Sequence, residues 1–486
     1  MESVSKVQKL TTAIVVFGAT VLLVWFGNGL TPWWPLMWFA PLPVLWFALR
    51  RSWWRAGLMT ASAWLVGSLN LLGYFHLQGT PFLGWLADFG GMALIVAMGV
   101  LLFRALVLRG AIWSGIVALP ALWVSMDWLR NWATPHATSA DLAYTQLKFL
   151  PFLQLASVTG PWGMSFVLVL LPAATAVILY LHEREPQRAI RVLFVVGGLM
   201  LLVLGFGRVR LSMSGQHETV KAGLVASDAT NNDGIADSGP EAAHLFGEYA
   251  AQSKMLADRG AQLVVLPEKI AIVHDRDEVA DHAIFQQVAD AAGVTIVAGE
   301  LHISPKASSA LKYNRAEVYA PHMAAVGYDK EHMLPPFESN LTRGTAKLTM
   351  PRGNTSWGVA ICKDMDFTSI GRAYGQLDTG LMLVPAWDFN LDRTWHGHMA
   401  IMRGVEEGFS VVRAAKNGYL FASDDRGRVI AEARTDSAPF ATLLAEVPVG
   451  HERTLFQMWG DWFAWVAVGI LGFVSLRMVG LLLERK

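Results

Sequence analysis

The chain has 486 residues, of which 53% are hydrophobic and 20 are tryptophan, and it carries no formal net charge at pH 7. Soluble proteins of this length are less apolar, and the mean hydropathy of +0.37 predicts an integral membrane protein. The balanced charge removes the electrostatic basis of nucleic-acid binding, and the single cysteine excludes a disulfide within the chain.

Apolar stretches of about 20 residues, the length needed to cross the hydrocarbon core of a bilayer, occur repeatedly in the N-terminal part and once more near the end. We predict eight transmembrane helices, near residues 11–28, 32–49, 56–77, 84–107, 111–129, 161–181, 190–206 and 460–483. A membrane domain at 1–210 then contains helices one to seven, and 458–486 contains the eighth helix and a short cytoplasmic tail.

The distribution of lysine and arginine predicts the orientation, because short cytoplasmic loops collect these residues. With alternating helices, thirteen basic residues near the ends of the spans lie on one side of the membrane: Lys6, Lys9, Arg50, Arg51, Arg55, Arg104, Arg109, Arg184, Arg188, Arg191, Arg477, Arg485 and Lys486. The loops after the first and third helices contain no Lys or Arg. Both termini are therefore predicted to be cytoplasmic, and the segment between helices seven and eight is predicted to be outside.

Polar residues interrupt the predicted spans at Asn70, Asp88 and Asp127. Such groups are costly in a bilayer and typically mark a functional site, although a hydrogen bond between helices is the alternative, which we favour for Asn70. The segment 130–160 is too long for a tight turn. Two interpretations of it stand: a lid or lipid-contact segment that dips back into the bilayer, or an ordinary surface loop.

From residue 217 to residue 450 the composition changes to short β-branched runs that alternate with stretches of helical character. The predicted strands are 220–226, 263–266, 294–298, 324–327, 357–361, 381–384, 409–414, 419–423 and 429–433, and the predicted helices are 240–258, 279–292 and 396–407. This pattern predicts one α/β or α+β domain, large enough for its own core and inserted between helices seven and eight.

Three reactive side chains follow strands of this domain. Glu268 follows a buried run and a proline, Lys330 follows a short strand, and Cys362 ends a third apolar run. Because the carboxyl ends of strands gather the sites of α/β folds, a carboxylate, an ammonium and a thiol could converge there. Each signal alone has an ordinary explanation, since a lone cysteine is most often a small buried hydrophobe and a charge after a strand usually belongs to a solvated turn.

The order Glu268, Lys330, Cys362 resembles the Glu-Lys-Cys triad of the nitrilase, or carbon-nitrogen hydrolase, superfamily. The arrangement of seven helices, this domain and a last helix resembles the apolipoprotein N-acyltransferase family, over essentially the whole chain. The residues that carry the likeness outside the triad are Asp127-Trp128-Leu129-Arg130, Ala143-Tyr144-Thr145-Gln146, Gly160-Pro161-Trp162-Gly163-Met164-Ser165-Phe166, Arg403, Glu406, Arg413, Asn417 and Gly418. The resemblance implies a polytopic helical membrane domain with an inserted nitrilase-like αββα sandwich.

The chain departs from the family pattern at several positions. Lys363 and Asp364 stand where the family has an aromatic residue and then Glu, and Glu338 follows Pro335-Pro336-Phe337 without the usual Gly. Trp387 lies in Pro385-Ala386-Trp387-Asp388-Phe389, where the family has Asn-Asp before a Trp-Phe pair. The Gly-Phe-Pro-Trp stretch expected after the fifth helix is absent. We retain Glu338, Lys363, Asp364, Trp387 and Glu406 as supporting site residues.

The resemblance implies an enzyme of the bacterial inner membrane with its catalytic domain on the periplasmic side. It would transfer an acyl chain from a phospholipid, through a thioester on Cys362, to the N-terminal amine of a diacylglyceryl-modified lipoprotein. Glu268 would act as general base, and Lys330 would stabilise the oxyanion together with a backbone N–H near Lys363. Glu338 would orient Lys330 or assist proton transfer, or would merely pair with it.

No metal or cofactor is expected for this chemistry. His332, His396 and His398 lie near the cleft elements in sequence, but His396 and His398 are two apart on a predicted helix and face different directions. Two other functions remain open. The first is a membrane-anchored amidase or nitrilase, or an N-acyltransferase with a different amine acceptor, and the second is a degenerate nitrilase domain that serves as a membrane scaffold.

Overall fold

The computed structural model describes residues 2–139, 141–213, 218–228, 234–306 and 310–484, with side chains from residue 7 onward. We predicted the inserted domain to begin at residue 217, which lies outside the described residues. The same is true of Arg485, Lys486 and the side chain of Lys6. The chain forms two compact units. We call Met1–Arg130, Ala140–Ser212 and Trp459–Lys486 the membrane unit, and Asn131–Ser139 with Met213–Met458 the inserted unit.

The membrane unit is helical. In chain order its helices are α1 (Glu2–Gly27), α2 (Trp34–Met37), α3 (Leu42–Ala48), α4 (Trp53–Ser68), α5 (Leu72–Leu77), α6 (Phe82–Trp85), α7 (Gly91–Val107), α8 (Ile112–Ala133), α9 (Leu150–Leu153), α10 (Ala156–Leu181), α11 (Pro186–Ser212) and, after the inserted unit, α17 (Trp462–Leu483). Helical turns at Leu69–Leu71 and Leu86–Gly90 join α4 to α5 and α6 to α7. Helix α10 kinks at Gly160, whose φ is 63°, so its straight part begins at Pro161, where we predicted that span to start.

Seven helical stretches of the described residues are long and apolar enough to cross a membrane: Val7–Gly27, Trp53–Leu77, Phe82–Val107, Ile112–Ala133, Ala156–Leu181, Pro186–Ser212 and Trp462–Leu483. The predicted helical membrane fold is confirmed, and seven of the eight predicted spans correspond to these stretches, 32–49 being the exception. The predicted span 32–49 forms the short helices α2 and α3 instead. Four prolines in this stretch, at 32, 35, 41 and 43, lack the N–H that a continuous helix requires, and the one at 41 precedes α3 directly.

The polar residues of the membrane unit have different environments. Asn70 donates hydrogen bonds to the carbonyls of Trp25 and Asn28, at 2.7 and 2.9 Å, which is the contact between helices that we favoured. Asp127 is buried, with an Arg130 nitrogen 3.8 Å from its carboxylate, whereas Asp88 is exposed. The 3-10 turn Leu142–Gln146 is buried, so the surface-loop interpretation of 130–160 is wrong for this part of the segment.

The inserted unit is built from strands and helices in alternation. Its strands are β1 (Thr219–Ala226), β2 (Leu263–Val265), β3 (Ile272–His274), β4 (Thr295–Ser304), β5 (Leu311–Tyr319), β6 (Val326–Asp329), β7 (Leu348–Arg352), β8 (Thr355–Val359), β9 (Thr379–Trp387), β10 (Ser410–Lys416), β11 (Tyr419–Ser423), β12 (Val429–Arg434) and β13 (Ala441–Pro448). Its helices are α12 (Pro240–Asp258), α13 (Glu278–Ala292), α14 (Thr368–Gln376), α15 (Trp395–Glu407) and α16 (Leu455–Trp459).

The strands form two sheets. The first has the order β13-β1-β2-β4-β5-β6, with β3 paired to β4, and the second has the order β12-β11-β10-β9-β8-β7. Buried side chains from the inner faces of both sheets share one core, for example Leu224 and Val265 of the first sheet with Val359 and Leu383 of the second. Helices α12 and α13 cover the outer face of the first sheet. With α14 and α15 on the second sheet, this is the predicted αββα sandwich.

Strand direction determines where the reactive side chains emerge. Strands β1, β2 and β4 are parallel, and β6 returns to the same direction because β4, β5 and β6 pair antiparallel in turn. In the second sheet β8, β9 and β10 are parallel. Glu268 follows the end of β2, Lys330 follows β6, and Cys362 follows β8. Each of the three therefore lies at the carboxyl end of its strand.

Candidate active site

Cys362 opens a tight turn directly after strand β8. It starts the 3-10 helix Cys362–Asp366 and has a φ of 44°, in the left-handed region that side chains other than glycine rarely adopt. The thiol is buried, with Sγ 3.7 Å from the carbonyl oxygen of Trp387 and 4.0 Å from a guanidinium nitrogen of Arg413. The sulfur is thus in contact with a backbone carbonyl and a buried guanidinium.

Asp364 fixes this turn to the loop that follows Lys330. Its buried carboxylate accepts hydrogen bonds from the hydroxyl of Tyr328 at 2.9 Å and from the backbone N–H of His332 at 2.8 Å. It also accepts the N–H of Ile361, at 3.2 Å, just before the cysteine. One carboxylate thus joins the thiol segment to the lysine segment, which gives Asp364 a supporting place in the site.

Lys330 lies between two buried carboxylates. Its Nζ is 2.9 Å from an oxygen of Glu268 and 2.8 Å from an oxygen of Glu338. Burial by itself disfavours the charged ammonium, but these two carboxylates outweigh that cost and hold the pKa of Lys330 well above its usual value. Lys330 is therefore a fixed cation with a carboxylate on each side.

Two residues that we did not predict complete this cluster. Asn314, on β5, donates to Glu268 and, at 2.7 Å, to Glu338, and the Nζ of Lys269 lies 2.6 Å from Glu338. Although burial opposes it, the charges of Lys330 and Lys269 lower the pKa of Glu338 far below its usual value. Two lysines thus balance two carboxylates, and Glu338 remains ionised. The buried asparagine was not found because strand β5 itself was not predicted.

The electrostatic surroundings keep the thiol protonated at rest. Burial raises the pKa of Cys362 well above its usual value, and the negative charge of Glu268 adds to that effect. Lys330 and Arg413 oppose it but do not cancel it. A nucleophilic role for this thiol would therefore require a base, and Glu268 is the carboxylate whose charge the sulfur experiences most strongly.

An ion pair between Arg413 and Asp388 lies next to the sulfur. Both side chains are buried, and they form two parallel hydrogen bonds of 2.7 and 2.5 Å. Gly418 leaves room for this pair, because a Cβ there would lie 2.5 Å from Asp388. Asp388 belongs to the stretch 385–389, which departs from the family pattern. In the structure this aspartate is the ion-pair partner of Arg413.

Lys363 and Glu406 both support the turn that Cys362 opens. The Nζ of Lys363 lies 3.5 Å from Asp366. Glu406 binds Arg403 at 2.7 Å, and Arg403 also reaches the carbonyl of Asp366 at 3.4 Å. Both predicted residues thus act on the Cys362–Asp366 turn. Trp387 contributes its carbonyl next to the sulfur, as described above, and its ring lies under the Nζ of Lys416 at 3.8 Å.

The histidines considered near the cleft are engaged in protein contacts. The imidazole of His332 stacks on Phe367, with ring centroids 3.6 Å apart. His396 lies between the carboxylates of Asp366 and Asp392, at 3.1 and 3.4 Å. Burial disfavours its charged form, but those carboxylates raise its pKa to about 10. His396 is thus a buried cation of the scaffold.

Two protein families match the chain. Residues 18–174 match the apolipoprotein N-acyltransferase N-terminal domain, and residues 231–453 match the carbon-nitrogen hydrolase family. Together with the αββα sandwich and the apolar helices, these matches indicate a membrane protein with an inserted domain of the nitrilase fold.

Curated relatives extend over most of the chain. An apolipoprotein N-acyltransferase of Geobacter metallireducens is 26% identical, over 93% of this chain and 92% of the relative. Those of Bradyrhizobium diazoefficiens and Vibrio vulnificus are 24% and 23% identical, over 81% and 86% of this chain and 80% and 88% of their own lengths. An amidase structure from Nesterenkonia sp. is 16% identical, covers 52% of this chain and 98% of its own, and has a TM-score of 0.42. Over most of its length the chain is thus similar to proteins named apolipoprotein N-acyltransferase.

Proposed function

We propose that this protein transfers an acyl chain from a membrane phospholipid to the N-terminal amine of a diacylglyceryl-modified bacterial lipoprotein. The curated relatives bear the name of that activity. The observation that carries the proposal is the charged cluster in which Lys330 lies between Glu268 and Glu338, next to a buried thiol in a strained turn. In this proposal Cys362 is the nucleophile, Glu268 the general base and Lys330 the oxyanion-stabilising cation.

The first half of the proposed reaction charges the cysteine. Glu268 removes the thiol proton as Sγ of Cys362 attacks the ester carbonyl carbon of the phospholipid. The Lys330 ammonium, together with a backbone N–H of the turn, stabilises the resulting oxyanion, a contribution of about 3–4 kcal/mol for each such donor. The carbon–oxygen bond then breaks, Glu268 returns its proton to the departing alkoxide, and a thioester and a lysophospholipid remain.

The second half transfers the chain to nitrogen. The neutral amine of the lipoprotein attacks the thioester carbonyl, and Glu268 takes one proton from the nitrogen. The carbon–sulfur bond breaks, the proton passes to the sulfur, and the products are an amide and the free thiol. Lys330 stabilises the oxyanion again, since each step passes through the same tetrahedral geometry.

Glu338 orients Lys330 in this scheme. Because the pKa of Glu338 is lowered by Lys330 and Lys269, it has no proton to give at neutral pH and is a poor proton carrier. Its second contact, a hydrogen bond of 2.9 Å from the N–H of Leu334, fixes it within its loop. We therefore assign Glu338 to positioning, not to proton transfer.

The proposed location is the bacterial inner membrane, with the inserted unit on the periplasmic side and both termini in the cytoplasm. The support is the distribution of Lys and Arg between the apolar helices. In spheroplasts of a Cys362→Ser variant, a membrane-impermeant thiol reagent should label a cysteine at Asn354 and should not label one at Gln187. Both positions are exposed, so the reverse pattern would overturn the orientation.

The activity is tested by initial rates with phospholipid and a diacylated lipopeptide in mixed micelles. Two half-reactions joined by a covalent intermediate give parallel lines in double-reciprocal plots. The matched control is the same lipopeptide with its N-terminal amine acetylated, which should not be acylated. Release of free fatty acid at one rate, with or without the free amine, would assign the second step to water and the protein to the hydrolases.

A further inference from the structure

A second buried polar cluster lies on the outer face of the first sheet, and the acyl-transfer scheme does not use it. His282 on α13, Glu300 on β4 and Glu317 on β5 are all buried, and their ring nitrogen and carboxylate oxygens lie within 4.8 Å of one another. One helix and two strands thus direct a nitrogen and two oxygen ligands at a common point.

Glu317 lacks the partner that a buried carboxylate normally has. It is 5% exposed, yet among the described residues it makes no hydrogen bond or ion pair. The neighbouring Arg315 is bound to Asp329, at 2.7 Å. A Cβ at Gly327 would lie 2.6 Å from Glu317 Oε2, so the glycine leaves the space that this carboxylate occupies. An unpaired buried carboxylate is costly unless a cation compensates it.

Glu300 is held in a fixed orientation beside it. One oxygen lies 3.0 Å from Nε2 of His282, and the other lies 3.0 Å from Nδ1 of His302. The second nitrogen of His302 faces Asp275, at 2.9 Å, so both of its nitrogens are occupied and it serves to orient Glu300. Carboxylates and histidines that bind metals are typically held by outer hydrogen bonds of this kind.

We infer that His282 Nε2, Glu300 and Glu317 bind a divalent transition-metal ion, with Zn²⁺ as the representative case. Imidazole nitrogen with carboxylate oxygen is a ligand set suited to such ions. Two ligands bound to one tetrahedral ion at about 2.1 Å are about 3.4 Å apart, within the span of this cluster. A divalent cation would neutralise the two buried carboxylates and join α13 to β4 and β5, so its role is structural.

The histidines that the sequence singled out were those near the cleft. His282, Glu300 and Glu317 are far apart along the chain and follow no metal-binding motif. They meet only because α13 packs on β4 and β5. The inference does not depend on the acyl-transfer proposal, since the two clusters share no residue.

The test uses the full-length protein in detergent, purified without a histidine tag, stripped with EDTA and titrated with Zn²⁺. Bound metal is counted by mass spectrometry, and thermal unfolding is followed in parallel. We expect one tightly bound equivalent and a higher Tm with Zn²⁺. Glu317→Gln should bind at least about tenfold more weakly and lose the zinc-dependent rise in Tm. Because this change removes an unpaired charge, the metal-free variant should be at least as stable as the wild type.

Two controls separate this site from other zinc ligands. Glu248→Gln alters an exposed His-Glu pair on α12 and should leave binding unchanged. Cys362→Ala should retain the equivalent, which excludes the thiol as the ligand. The inference is overturned if the wild type binds no equivalent, or if Glu317→Gln binds Zn²⁺ as tightly as the wild type does.

Discussion

Replacing Glu268, the proposed general base, should make the cysteine more reactive while it abolishes acyl transfer. Glu268 adds to burial in raising the pKa of Cys362, and it also neutralises part of the Lys330 charge that would lower it. Glu268→Gln preserves size but removes both effects. The pKa of the thiol should therefore fall by about one unit or more, which raises the thiolate fraction about tenfold.

Removing the positive charge of Lys330 should have the opposite effect on the thiol pKa. Lys330→Met removes the cation that lowers the thiol pKa, so alkylation of Cys362 should slow by about tenfold relative to the wild type. Acyl transfer should fall in both variants, by about 10²–10⁴-fold for Glu268→Gln, the usual contribution of a positioned general base. In Glu268→Gln the alkylation rate should thus rise while acyl transfer falls, and in Lys330→Met both should fall.

The assay is the rate of iodoacetamide alkylation against pH, followed by intact mass. Cys362 is the only thiol in the chain, so every adduct of this type reports on it. Glu432→Gln, an exposed carboxylate on β12, is the control and should alkylate as the wild type does. If Glu268→Gln alkylates more slowly than the wild type, Glu268 maintains a thiolate at rest and our account of the thiol is refuted.

Burial, together with the charge of Lys269, lowers the pKa of Lys416 to about 7. Below pH 7 the lysine is charged in the folded protein, and its burial reduces the free energy of unfolding by the full amount. As the pH rises above 7 the folded protein loses this charge and the reduction becomes smaller. Lys416→Met should therefore raise the free energy of unfolding, measured with denaturant, by an amount that decreases by about 1.4 kcal/mol per pH unit between pH 7 and 9. A difference between variant and wild type that stays constant over this range would contradict the prediction. Asp388→Asn leaves Arg413 buried without its carboxylate and should cost about 3–5 kcal/mol of unfolding free energy, whereas an unchanged Tm would show that the pair is not needed. Lys330→Arg should lose most acyl transfer at an unchanged Tm, because a planar guanidinium cannot replace a compact ammonium between two carboxylates, and near-normal turnover would reduce the lysine to an electrostatic neighbour.

Much of the inserted unit was predictable because its elements have strong local signals. Helix α12 has the predicted bounds, 240–258, and the buried runs that precede Glu268 and Cys362 are strands within a few residues of the prediction. Since parallel strands end on one edge, the reactive side chains could be placed at strand ends from the amino-acid sequence alone. The prolines of 32–49 also carried a signal, and span length alone misled us there.

The supporting contacts were not predictable in the same way. Asn314 interacts with Glu268 and Glu338 only through the pairing of β4, β5 and β6, which depends on register across the sheet. Lys269 resembles an ordinary charge after a strand until its contact with Glu338 is seen. The cluster of His282, Glu300 and Glu317 joins a helix and two strands in the same manner. Such groups show no local sequence pattern, because their roles depend on contacts between segments that are distant along the chain.

The most direct test of the proposed chemistry is the intact mass of full-length protein purified from membranes that contain phospholipid. We expect the mass of one acyl chain added at Cys362, removed by neutral hydroxylamine as a thioester is, and discharged by a diacylated lipopeptide. Glu268→Gln and Cys362→Ala should carry no such adduct. A protein that acylates the lipopeptide with no adduct at any stage, or with one that persists in Cys362→Ala, would contradict the covalent mechanism.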